Sequence, residues 1–203
     1  MAKRESTFIN MLLTLFAVTF IAAAVLGFVH DITEEAIEHT KLSAQSEAIE
    51  KVLPGFDELG ESFKVAVPSL DDSLEFFPAF REGEMVGVAV KTFTNKGFSG
   101  FISIMAGIDQ SGNLSGYEVL EHAETPGLGS KMEVWFRNAD KPDQNVIGKN
   151  PGDYQFEVSK DGGDFDAITA STITSRAFLD ALVRAFDAYQ EQIQELENKK
   201  ESL

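Results

Sequence analysis

Phe8 to Val29 is a run of 22 residues without a charge, in which only Asn10, Thr14 and Thr19 are conspicuously polar. A helix rises 1.5 Å per residue, so about 20 residues cross the hydrocarbon of a bilayer. The run is long enough to do so, and it commits the N-terminus to a membrane helix. Lys3 and Arg4 precede it, and Asp31, Glu34 and Glu35 follow it. The positive-inside rule then predicts a cytoplasmic N-terminus and an extracytoplasmic remainder. The alternative is a cleaved signal peptide, whose apolar region is about 7–15 residues and ends at an Ala-x-Ala-like site. Here Ala22-Ala23-Ala24 lies inside the run and Val25 to Val29 continue it, which favours a retained anchor in the lipid bilayer.

The 203 residues suit one anchor and one globular domain large enough for a core. With 17 Phe, that core is predicted to be Phe-rich. Asp and Glu number 33 against 17 Lys and Arg, a net charge of −16. So acidic a chain is repelled by a phosphate backbone, and no nucleic-acid partner is expected. The absence of Cys removes disulfides, iron–sulfur ligation and thiolate zinc sites. His30, His39 and His122 are too few for a His-rich metal centre, and no metal is expected. There is no P-loop and no G-x-G-x-x-G, so a nucleoside-triphosphate or nicotinamide site is unsupported.

Past the anchor, residues 31 to 53 read as a helix, with Thr33 as N-cap and Pro54-Gly55 as its stop. Strands are expected at Phe63 to Val67, Leu74 to Phe80, Glu84 to Thr92, Gly97 to Ile108 and Leu114 to Leu120. Pro68 and Asp71-Asp72 separate the first two, and Asp109 to Asn113 forms a hairpin turn between the last two. A short amphipathic helix carries Met132, Trp135 and Phe136. A polar loop spans Asn138 to Gly152, a short strand Tyr154 to Val158, and a tight turn Lys160 to Asp164. The final helix repeats Ala177, Phe178, Ala181, Leu182, Ala185, Phe186, Tyr189 and Ile193 at helical spacing, so one face is buried. The predicted class is α+β, a single N-terminal transmembrane helix followed by one domain with a mainly antiparallel sheet packed by helices. Its divisions fall at residues 1–30 (cytoplasmic N-terminus and anchor), 31–83 (stalk helix and first part of the domain), 84–194 (the domain proper) and 195–203 (a charged tail expected to fray).

Two segments carry chemistry. Asp166-Ala167-Ile168-Thr169-Ala170-Ser171-Thr172-Ile173-Thr174-Ser175-Arg176 places five hydroxyls in seven residues where a Gly/Asp-rich loop meets the final helix. Free N–H groups and the helix dipole favour an anion there. An elaborate N-cap would use the same residues. Glu121-His122-Ala123-Glu124-Thr125-Pro126-Gly127-Leu128-Gly129 follows a predicted strand, and its Pro-Gly sets a tight turn whose glycines admit close backbone approach.

The first segment resembles the flavinylation motif of the FMN-binding-domain family, in which an Asp, two residues, Ser/Thr, Gly, Ala/Ser and a final Thr or Ser precede a covalent flavin. Asp166 matches the leading acid, Thr169 the Ser/Thr, Ser171 the small residue and Thr172 the acceptor. Ala170 stands where the family has Gly, a small change that disfavours positive φ. The second segment resembles the His-x-Glu-Thr-Pro-Gly-Leu-Gly signature of the G subunits of Rnf (or Rsx) electron-transport complexes. The C subunit of the sodium-pumping NADH:quinone oxidoreductase carries a similar Glu-Thr-Pro-Gly-Leu-Gly.

The resemblance implies FMN joined by a flavin transferase through a phosphoester to Thr172. It implies Thr169, Ser171, Ile173, Thr174, Glu124, Thr125, Gly127 and Leu128 around the flavin, and Asp166 as the transferase-motif residue. The walls for ribityl and ring are expected at Gly97 to Gly100 and Glu124 to Gly129. The chain would be one electron relay in a membrane complex linking ferredoxin:NAD⁺ oxidoreduction to Na⁺ or H⁺ translocation. Short length, a single anchor and His122 favour the Rnf type over the quinone-reducing pump. Outside that family, the residues also permit a stand-alone flavoprotein, or a membrane-anchored binding module whose Thr cluster is only a cap.

Overall fold

The structure is a computed structural model; it describes residues 7–53, 55–67 and 72–201, with side chains to residue 193. Lys3, Arg4, Pro54, Pro68 and Asp71 lie outside it, as do the side chains of the tail. Two compact units divide between Ala44 and Gln45.

The first unit is helical. Helix α1 runs Phe8–Val52, and every large apolar side chain from Phe8 to Val29 is exposed. An uncharged stretch that is apolar all round has no aqueous face, which is the signature of a helix meant for lipid. Among the described residues it is the one helix long and apolar enough to cross a membrane. Thr33 does not begin a new helix. Its hydroxyl donates back to the carbonyls of Val29 (2.9 Å) and His30 (3.2 Å), so it sits inside a continuous helix. The N-cap expectation failed because nothing in the sequence breaks the helix at the end of the apolar run.

The second unit is built on an antiparallel sheet. Its strands are β1 (Glu58–Leu59), β2 (Phe63–Ala66), β3 (Ser73–Arg81), β4 (Glu84–Gly97), β5 (Gly100–Asp109) and β6 (Leu114–His122). The order is β1-β3-β4-β5-β6, with β2 also paired to β3. Glu82 (φ 52°) and Gly83 (φ 82°) close the β3–β4 hairpin, two left-handed residues matching the right-handed twist of the strands.

Alternation along the strands feeds both faces. Leu74, Phe76, Val88, Val90, Ile102, Ile104, Ala106 and Ile108 point to one core, against helix α3 (Thr172–Glu201). Phe77, Ala79, Ala89 and Met105 point to the other, against Ala48, Ile49, Val52 and Leu53 at the end of α1. Burial on both faces explains why β5 reads as an unbroken apolar run. Val52 packs so close that a Cβ on Gly107 or Gly116 would meet its backbone.

The predicted face of α3 is the buried one: Ala177, Phe178, Ala181, Leu182, Ala185, Phe186 and Tyr189 are all in the core. Phe178 stacks on Phe136 of the short helix α2 (Met132–Trp135 and its C-cap), ring centroids 4.8 Å apart, and meets the edge of Tyr117 at 4.9 Å. Thr92 donates to the Ala181 carbonyl (3.1 Å) and Arg184 to the Phe93 carbonyl (2.6 Å), fixing α3 along β4.

Two strand expectations are corrected. Gly97 to Ile108 is not one strand. β4 continues past Thr92 to Gly97, Phe98-Ser99 is a two-residue turn, and Gly97 pairs with Gly100 (φ 103°). Tyr154 to Val158 forms no strand. Its backbone closes on the neighbouring turn through Gln155, Glu157, Asp164 and Phe165, leaving a single parallel bridge from Val158 to Phe165.

Candidate cofactor site

The fold brings three separate pieces of sequence together at one end of β4 and β5. They are the Phe98-Ser99 turn, the Glu124 to Gly129 segment after β6, and residues 169 to 174 at the start of α3. Glu124 joins them. It is 5% exposed, its Oε1 accepts the Ser99 N–H (3.0 Å), and its Oε2 accepts the Thr174 hydroxyl (2.8 Å). A buried carboxylate is tolerated because both oxygens have donors. Gly129 packs against this pair, and a Cβ there would collide with the Glu124 carboxylate and the Thr174 hydroxyl.

The turn itself is wound tightly. Leu128 N–H donates to the Thr125 carbonyl (3.1 Å), Gly127 (φ 76°) donates to the Ser130 hydroxyl (2.9 Å), and a 3₁₀ turn, Gly129–Lys131, leads into α2. Behind it, His122 Nδ1 accepts the Glu124 N–H (3.0 Å), which leaves the ring proton of the neutral imidazole on Nε2, facing Glu133 Oε1 at 3.0 Å. Both ring nitrogens are therefore used to hold the turn.

At the other side, the hydroxyl cluster divides by role. Ser175 accepts the Ile168 N–H (2.9 Å) and donates to the Ser171 carbonyl (3.0 Å), stapling the loop to the first helical turn. Thr174 is fully buried and committed to Glu124. Thr172 is half-buried, Thr169 exposed, and neither hydroxyl has a hydrogen-bond partner among the described residues. The N–H groups of Thr172, Ile173 and Thr174 likewise lack an acceptor among the described residues, as expected of a first helical turn with no side-chain cap. Ala170 takes φ 63°, the left-handed conformation that Gly adopts freely and Ala does not.

Two cavities meet here. The first, about 340 Å³, is lined by Phe98, Glu124, Thr125, Leu128, Gly129 and residues 170 to 174. The second, about 360 Å³, is lined by Trp135, Gln144, Ser159, Lys160 and Asp166 to Ala170 with Thr172. Ala170 and Thr172 line both and form the wall between them. Asp166 is held from three sides: its carboxylate accepts the Ser159 hydroxyl (3.3 Å), its carbonyl the Trp135 indole N–H (2.9 Å), and its N–H donates to the Asp143 carbonyl (2.7 Å). Asp161 pairs with Arg176 through two bonds, 2.5 and 2.8 Å, and the guanidinium holds the Asp161 carboxyl below the usual carboxylate range.

Of the residues expected around a cofactor, Glu124, Thr125, Leu128, Ser171, Thr172, Ile173 and Thr174 all line the first cavity. Thr169 and Asp166 line the second. Gly127 lines neither and serves the turn. Phe98 and Gly129 line the first cavity and fall within the two stretches, Gly97 to Gly100 and Glu124 to Gly129, expected as walls, though neither was named individually. The glycines on either side of Phe98 were the signal, and they mark a hairpin tip. The donor set suits a flavin mononucleotide: an apolar recess of ligand size beside unpartnered N–H groups that favour an anion.

A family model described as the FMN-binding domain matches residues 97–187, a span that holds all three pieces of the site. The chain is similar to the G subunit of the ion-translocating oxidoreductase complex of Shewanella oneidensis, 34% identical over 162 residues, which are 79% of this chain and 69% of that protein. It is similar to the protein of the same name from Pectobacterium atrosepticum, 34% identical over 179 residues and 85% of each chain. For that of Aliivibrio fischeri the identity is 30% over 200 residues, 92% of this chain and 93% of the other.

Proposed function

Because the chain belongs to the family of the G subunits of ion-translocating oxidoreductase complexes, we propose that it is an electron-transfer subunit whose FMN is esterified to Thr172. The complex is of the Rnf type, linking ferredoxin:NAD⁺ oxidoreduction to Na⁺ or H⁺ translocation, and this chain is one relay within it. Bound FMN supplies chemistry that protein side chains lack, the uptake and release of one or two electrons.

The chain's own residues bind and orient. Thr172 Oγ1 would hold the FMN phosphate as an ester: the O–P bond would form as the phosphorus–oxygen bond to the flavin donor's leaving group breaks, that group would depart with the electron pair, the hydroxyl proton would be lost, and the chain would gain the mass of FMN less one water. A flavin transferase makes this bond, with Asp166 in its recognition motif. The observation that carries the reading is the Thr172 hydroxyl, unpartnered among the described residues, on the wall shared by two cavities and beside unpartnered helix N–H groups. Thr174 is a poor rival acceptor, since it is buried and its hydroxyl is taken by Glu124. Phe98, Leu128 and Ile173 exclude water from the ring, Thr125 and Ser171 border it, and Glu124 and Gly127 hold the wall in place. Thr169 lies on the phosphate side.

The apolar helix anchors the domain, with Lys3 and Arg4 holding the N-terminus in the cytoplasm and the domain outside. Covalent attachment keeps a cofactor that could not be replaced there. The test is isolation of the tagged chain from its native membranes. The proposal expects integral membrane subunits to co-purify and the protein-bound flavin to bleach when reduced ferredoxin is added to the membranes. A colourless protein recovered alone would contradict it.

A further inference from the structure

A phosphodiester at Thr172 keeps a negative charge, and its surroundings are acidic. The chain carries −16 overall, and the first cavity contains the Glu124 carboxylate and no Lys, Arg or His. The second cavity also has a carboxylate in its lining, that of Asp166, which accepts the Ser159 hydroxyl, but it differs in having a cation. Lys160 is the one cationic residue lining either of the two, and it shares that cavity with Thr172.

The side chains of both its neighbours are held, Ser159 by its hydroxyl bond to Asp166 and Asp161 by its two bonds to Arg176. Arg176 is thereby neutralised, whereas Lys160 forms no ion pair among the described residues. Lys160 is exposed, its charge also acts on the neighbouring Asp161 carboxylate, and an ammonium with no ion pair among the described residues, on a cavity that Thr172 also lines, is suited to an anion.

We propose that the second cavity is the phosphate subsite and that Lys160 is its counter-charge, with the flavin ring in the first cavity. This rests on the flavin reading. FMN then straddles the wall of Ala170 and Thr172, apolar ring on one side and anion on the other. Lys160 positions the phosphate and gives the site its preference for FMN over the phosphate-free riboflavin.

The test uses the full chain in detergent, produced with a flavin transferase. Intact mass is measured first, and a wild type without flavin would remove the underlying flavin reading as well. Lysines are then acylated under limiting conditions and read by peptide mass spectrometry. Lys160 is expected to react several-fold more slowly in the flavinylated wild type than in unflavinylated Thr172→Val, with Lys64 unchanged. Equal reactivity of Lys160 in the two would overturn the proposal.

A second measurement separates charge from structure. Thr172→Val is titrated with FMN and with riboflavin. Adding Lys160→Gln is expected to weaken FMN about tenfold or more, leave riboflavin unaffected, and be rescued by Lys160→Arg and mimicked by high salt. An FMN preference that survives Lys160→Gln refutes the assignment. So does flavin fluorescence that recovers in Trp135→Phe, because it would put the ring in the second cavity.

Discussion

Ala170→Gly should stabilise this protein. Ala170 sits at φ 63°, and a residue with a Cβ in the left-handed region is destabilised by about 1–2 kcal/mol relative to right-handed backbone. Gly removes that strain but widens the unfolded ensemble, which costs about 0.4–1 kcal/mol. The net gain is about 1 kcal/mol, which for a domain of this size raises Tm by about 2–4 °C. The assay is thermal unfolding of the unflavinylated chain in detergent, followed by circular dichroism. Ala123→Gly is the control. That residue is exposed and has no positive φ, so the same substitution should lower stability by about 0.4–1 kcal/mol. Opposite signs at the two positions are the prediction. If both fall, or Ala170→Gly changes nothing, the strain at the motif is not real and Ala170 is not in the conformation that Gly would favour.

The carboxylate at the centre of the site gives two more expectations. Gly129→Ala forces a methyl into the Glu124–Thr174 contact and should cost about 1–3 kcal/mol, read by urea unfolding, with loss of retained flavin. Thr174→Val keeps the shape but removes a donor from the Glu124 carboxylate, a loss of about 1.5–3 kcal/mol in the same assay. The Asp161–Arg176 pair sets a pH dependence. Its folded carboxyl titrates lower than in the unfolded chain, where Asp has a pKa of about 3.9, so the pair's contribution is complete above about pH 4 and fades as pH falls through the lower folded value. The stability gap between wild type and Arg176→Gln should be constant near neutrality and close in acid; a gap that widened in acid would reverse the sign.

Much of this architecture is legible from residues alone. The 22-residue uncharged run, the Asp109 to Asn113 turn and the spaced apolar face of the last helix each depend on local pattern, and each is where it was expected. The Phe98-Ser99 turn was hidden because Phe98 reads as the start of the apolar run toward Ile108 and no Asn-Gly or Asp-Gly marks it. Gly97 and Gly100 read equally well as bends in one strand. Tyr154 to Val158 has strand-like composition, but tight local bonding to Asp164 and Phe165 prevails. Within the site, the hydroxyl cluster and the Glu124 turn are visible as motifs. Their meeting through Glu124 and Thr174, 50 positions apart, is a tertiary fact that spacing does not encode. The separation of hydroxyls into structural (Ser175, Thr174) and unpartnered (Thr172, Thr169) is likewise visible only once the bonds are drawn.

The central claim is a covalent flavin at Thr172, and intact mass tests it most directly. Wild type and Thr172→Val are produced with the flavin transferase, denatured, imaged for flavin fluorescence on a gel and weighed. The account predicts a fluorescent wild-type band heavier by FMN less one water, and a dark Thr172→Val at its unmodified mass. Fluorescence and added mass persisting in Thr172→Val would contradict it, as would a dark wild type in a host that flavinylates another protein of the family.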